Sequence, residues 1–139
     1  MYTPMDNVAQ FHKTFATDQV SDSLLDKIDR RALLIDEENQ EVLEALDLLD
    51  RTDLGMTSLT LEEAKEEVAK ELADLLYVVY GTAEELGIPL EKVFQAVHNS
   101  NMSKVWPDGT VKRNEYGKVM KPPTYTKPDL SFIHDNRFL

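Results

Sequence analysis

Two long stretches of helical apolar period dominate the chain, residues 22–51 and 61–87, separated by the breaker segment TDLGMTS. In the first, Ile28, Arg31, Ile35, Glu38, Val42, Ala45 and Leu49 recur at steps of three and four. In the second, the seam reads Ala64, Val68, Glu71, Leu75 and Val78. Seams of this length predict two long helices, and the short connection favours an antiparallel pair. Each seam carries an acid at its centre and a second acid three residues on, Glu38 with Glu41 and Glu71 with Asp74, on one face one turn apart. Unpaired carboxylates inside a helical pair are costly, so something must answer them.

The flanking sequence predicts two shorter helices. One spans about 4–16, with Val8, Phe11 and Phe15 on one face. The other spans about 90–102, led by Pro89, with Val93, Phe94 and Val97 facing inward. Ser21 or Asp22 is suited to cap the first long helix. Thr60 with Glu63 forms a capping-box pattern for the second, which Leu72, Val79, Ala83 and Leu86 carry toward Gly87. Beyond Met102, Pro107-Asp108-Gly109 and Tyr116-Gly117 mark turns. TVKRN and KVMK between and after them suit a short hairpin, and KPPTYTKPDL is extended. The expected architecture is an all-α four-helix bundle with a short C-terminal hairpin and an extended tail, one domain over residues 1–139.

Charge narrows the function. The net charge of -11 argues against nonspecific nucleic-acid binding, which needs Lys and Arg against phosphates. From Asp36 to Asp74 there are fourteen acids and three bases; from Met102 to Lys127 there are six bases and two acids. An acidic middle and a basic tail suit a site where cations and phosphates meet. No apolar run is long enough to span a membrane, and MYTPMDNVAQFHKTF has no apolar export core. The absence of cysteine excludes disulfides and cysteine metal sites and is compatible with a cytoplasmic location.

Two answers to the seam acids remain. Basic partners are one, but the seams offer only Arg31. A hard cation is the other, and carboxylate oxygens suit Mg2+ or Mn2+. A di-iron bundle would want Glu-x-x-His on two helices. The residues three before the three histidines are Ala9, Gln95 and Ser131, so that pattern is absent. Either acid pair alone also reads as a solvated face; two pairs on two seams favour the cation. Glu44, Asp47, Glu62, Glu63 and Glu66 lie off the seams and read as surface charge.

Glu37-Glu38-x-x-Glu41 followed by Glu71-x-x-Asp74 resembles the EExxE…ExxD signature of the MazG-like all-α NTP pyrophosphatases. VHNSNMSK, Asp108-Gly109 and GKVMKPPTYTKPDL resemble the C-terminal part of a phosphoribosyl-ATP pyrophosphohydrolase-like branch that contains a dUTP-preferring enzyme. The resemblance implies hydrolysis of a nucleoside triphosphate, dUTP-like, between the α and β phosphates. It implies Mg2+, or Mn2+, on Glu38, Glu41, Glu71 and Asp74, with Glu37 as a further ligand or the group that positions the attacking water. The expected catalytic pair is Glu37 and Glu38. Lys104, Lys112, Arg113, Lys118 and Lys121 are expected at the β and γ phosphates, Asn101 at the sugar or a phosphate, and His12 and Trp106 at the base.

Phosphoribosyl-ATP is the alternative substrate. A metal-stabilised helical module that docks an acidic partner without catalysis is the reading from another class. A thin core and faces such as VVYGTAEEL call for cover, so a homodimer or homotetramer is expected.

Overall fold

A computed structural model describes residues 1–15 and 23–135. The chain is all-α. Among the described residues four α-helices follow in order: α1 (Pro4–Phe15), α2 (Leu24–Asp53), α3 (Leu61–Glu85) and α4 (Leu90–Met102), with a 3-10 turn at Ser131–His134. Two compact units are distinguished, Met1–Leu86 and Gly87–Leu139. Among the described residues no helix is long and apolar enough to cross a membrane.

Both long helices start the same way. Ser23 accepts from the Asp26 amide while the Asp26 carboxylate accepts from Ser23, and Thr60 and Glu63 repeat the exchange. Each box satisfies two amides that the first turn leaves without partners. The Thr60 box is the one the sequence predicts. For α2 the cap is Ser23; the expected candidates Ser21 and Asp22, and the expected last residue of α1, Ala16, lie outside the described residues.

In the first unit α2 and α3 run antiparallel. Arg30 and Arg31 near the start of α2 bind Glu85 at the end of α3. Leu46, Leu49 and Asp53 near the end of α2 line one cavity with Leu61 and Lys65 from the start of α3. Helix α1 lies along α3, where Val8 is 2 % exposed and Phe11 meets Tyr77 edge-on at 5.5 Å between ring centroids. Gly81 makes this close approach possible. A Cβ there would lie 2.7 Å from Arg31 Nη1 and 3.2 Å from His12 Nε2. The inward seam is narrower than expected: Val42, Ala45 and Ala64 are buried, but Ile28 and Leu72 are exposed, as are Phe11 and Phe15 on α1.

In the second unit the inward face of α4 differs from the expected one. Phe94 and Val97 are exposed, whereas Ser100 is buried. Ser100 Oγ donates to Thr126 O at 2.7 Å, and Thr126 N donates to Ser103 Oγ at 3.0 Å. Among the described residues the extended tail has no ladder partner there, so the serines of α4 satisfy its backbone. The expected hairpin is present as a single antiparallel bridge, Arg113 to Val119, closed by Gly117 at φ 77°. Asn114 Oδ1 accepts from Tyr116 N and Lys118 N, so the turn uses up groups a longer ladder would need.

Candidate active site

The seams through the contact of α2 with α3 deliver the acids. Glu38 comes one turn before the buried Val42, and Glu71 is itself 9 % exposed. One oxygen each from Glu38, Glu71 and Asp74 lies within 4.8 Å of the others. Glu41 faces the next turn, where with Glu44, Glu67, Lys70 and Glu71 it lines a cavity of about 380 Å³.

This density of acid perturbs its members. Burial first, then the charges of Asp74, Glu37 and Glu71, push the Glu38 carboxyl above its ordinary 4.5. Glu41 is also pushed up. A proton on it makes a hydrogen bond to Glu71, and burial and the Glu38 charge act in the same direction. Lys70 answers part of the charge. Its ammonium donates to Glu71 Oε1 at 2.9 Å and Asp74 Oδ2 at 3.0 Å, which raises its own pKa.

The far side of the cluster has no such answer. Glu38 Oε2 and Glu71 Oε2 are buried and, with the acids ionised, have no hydrogen-bond partner among the described residues. Buried carboxylate oxygens without donors are costly. A set of hard oxygens of this kind, close together and partly unpaired, fits a divalent cation. Arg31, the one basic residue in the seams, does not serve the acids; it pairs with Glu85.

These shifts set a pH dependence. Glu38 and Glu41 are raised in the folded state, so their ionisation weakens folding at neutral pH, and the penalty lifts as pH falls through the raised values. Glu85 is lowered: burial opposes its charge, but hydrogen bonds from Arg31 and Arg30 outweigh that. Its contribution is present above the ordinary 4.5 and is lost as pH falls through its folded value. The metal-free protein is therefore expected to melt at a higher temperature as pH falls from neutral toward the ordinary 4.5 of these carboxyls, then at a lower one in stronger acid. Thermal melts in a chelating buffer check this, and excess divalent cation should remove the first rise.

The remaining expected site residues fall in two places. Glu37 is exposed beside Glu38, close enough to raise it. His12 belongs to the first unit, and both its ring nitrogens are engaged. Arg31 Nη2 lies 3.2 Å from Nε2, and since arginine only donates, Nδ1–H points to Glu84. Its ring borders a cavity of about 330 Å³ with Phe11, Phe15, Arg30 and Tyr77. The second unit holds the others. Lys104 donates to Asn101 Oδ1 at 2.9 Å. Lys112 lies over the Trp106 ring at 4.0 Å and Lys121 over Tyr125 at 4.7 Å. Arg113 donates to Gly117 O, Lys118 is exposed, and Trp106 Nε1 is buried without a hydrogen-bond partner among the described residues.

Sequence reasoning passed over Lys70, Glu67 and Glu44. Lys70 had a usable signal, four residues before Asp74 on the same helix face. Glu44, read as surface charge, borders the cavity beside the cluster.

An all-α chain whose central helices present facing carboxylates defines a class, the pyrophosphohydrolases of the MazG-like superfamily. Residues 8–101 match the phosphoribosyl-ATP pyrophosphohydrolase family, and the chain belongs to it. It is a nucleoside triphosphate pyrophosphohydrolase by that membership. No curated protein matches it.

Proposed function

We propose that the chain hydrolyses a triphosphate-bearing nucleotide at the α–β bond, with Mg2+ held by Glu38, Glu41, Glu71 and Asp74. The two buried oxygens without donors, on Glu38 and Glu71, carry this reading. A divalent cation bound there supplies positive charge to the phosphates and makes water a better acid. Glu37 is exposed at the edge of the cluster and takes the proton of the attacking water, with Glu38 beside it. Water oxygen bonds to the α phosphorus, the bond to the bridging oxygen breaks, and the monophosphate and pyrophosphate leave. By the resemblance to the MazG-like enzymes, Lys104, Lys112, Arg113, Lys118 and Lys121 are assigned to the β and γ phosphates, Asn101 to the sugar or a phosphate, and Trp106 to the base. His12, whose ring nitrogens are engaged by Arg31 and Glu84, offers a base its ring face only.

The family's description favours phosphoribosyl-ATP as substrate. The VHNSNMSK block keeps dUTP as the second reading through its resemblance to a dUTP-preferring branch. Pyrophosphate release over phosphoribosyl-ATP, dUTP and the common nucleoside triphosphates with Mg2+ decides between them. Silence across all of them would overturn the reading and return the non-catalytic module.

Residues 1–139 act as one MazG-like domain in the cytoplasm on this reading. Exposed Leu43, Leu46, Leu72 and Leu76 support a homodimer or homotetramer, which light scattering tests.

A further inference from the structure

We propose that Lys70 is a transferable counter-charge: it holds the acid cluster until a divalent cation displaces it, and then pairs with a phosphate of the substrate. This rests on the cation-binding reading of Glu38, Glu41, Glu71 and Asp74. The Lys70 ammonium is bonded to Glu71 Oε1 at 2.9 Å and to Asp74 Oδ2 at 3.0 Å, both on acids assigned to the cation. A divalent cation on those acids and an ammonium on the same carboxylates repel one another at close range.

The exchange is easy on the lysine side. Its side chain is 61 % exposed, against 12 % for Glu71, so the ammonium can swing on its flexible stem while the carboxylate stays. Exposed lysine–carboxylate pairs are weak. The direction of the swing follows from charge. In the adjoining cavity of about 380 Å³, the charged lining groups are Glu41, Glu44, Glu67 and Glu71 against the single cation Lys70. A phosphate chain at that cavity is repelled by every one of these side chains except Lys70. One ammonium thus serves two anions in turn.

The test uses the full chain, with Mn2+ alone and then inorganic pyrophosphate as probes. Mn2+ binding is followed by electron paramagnetic resonance and calorimetry in wild type, Lys70→Met, Lys70→Arg and Glu71→Gln. Met keeps the aliphatic stem at an exposed position, so folding is preserved. Lys70→Met is expected to bind Mn2+ about three- to tenfold more tightly, because no ammonium competes. Its Mn2+-loaded form is expected to bind pyrophosphate about fivefold or more weakly, with Lys70→Arg near wild type in both. Unchanged Mn2+ affinity in Lys70→Met overturns the displacement, and unchanged pyrophosphate affinity overturns the transfer; either result sinks the proposal. Wild type that fails to bind Mn2+, or Glu71→Gln that binds it as wild type does, takes down the cation reading and this inference with it.

Discussion

Glu71→Gln is expected to lower pyrophosphate release by well over a hundredfold, since even groups that only support metal ligands cost about 10–100-fold in affinity or activity when removed. Glu71 is the most buried of the four acids, and its Oε2 has no donor. The amide has nearly the same shape, so packing against α2 is preserved. It also removes one negative charge from a group of carboxylates that repel one another, which is why burial and neighbours raise Glu38. The metal-free variant should therefore melt no lower than wild type while losing its activity. Steady-state kinetics beside a melting curve separates the two effects. A variant that keeps near-normal kcat/KM would remove Glu71 from the site. One that is inactive only because it unfolds would say that Glu71 serves structure.

Glu85→Ala should do the reverse, with a loss of about 3 kcal/mol of stability and cation binding retained, because breaking a buried pair leaves an uncompensated charge. Arg31 is 10 % exposed at its side chain, and Glu85 is the carboxylate bonded to its Nε. A guanidinium does not deprotonate in response, so the charge stays buried. Arg30, at 28 % exposed, also donates to Glu85 but is better placed to reach water. The damage spreads to α1, because Arg31 Nη2 also bonds His12, which bonds Glu84. Denaturant unfolding measures the loss. The double variant Arg31→Met with Glu85→Leu should recover most of it, since apolar replacement of a whole buried pair is often neutral or better. If Glu85→Ala alone is neutral, the pair is not what fastens these helix ends.

Much of the acid cluster was legible because helical period is a strong signal when seams are long. Val42 and Ala45 fixed the inward phase of α2 around Glu38, and Ala64 and Glu71 did so for α3. Lys70 was missed although its spacing of four to Asp74 offered a signal; its second bond, to the adjacent Glu71, needs a side chain bending across its own helix, which spacing does not announce. The face of α4 was misread for a different reason. Large apolar residues mark a buried face only where apolar surface is what covers it. Here a backbone without a ladder does the covering, and it selects Ser100 over Phe94. Arg31 stands in the seam as expected, but its partner lies more than fifty residues away at the end of α3, and no local pattern announces such a pairing.

The two capping boxes also govern where this chain tolerates changes of length. Each one fixes the rotational origin of a helix, at Ser23 for α2 and Thr60 for α3. A residue inserted between Thr60 and Glu71 would turn everything after it by about 100° relative to that origin and swing the acid off the seam. The same insertion between Leu54 and Thr60 leaves both origins in place. The 29 residues between Glu41 and Glu71 can therefore lengthen or shorten in the turn, while the helical portions on either side are held to a fixed count.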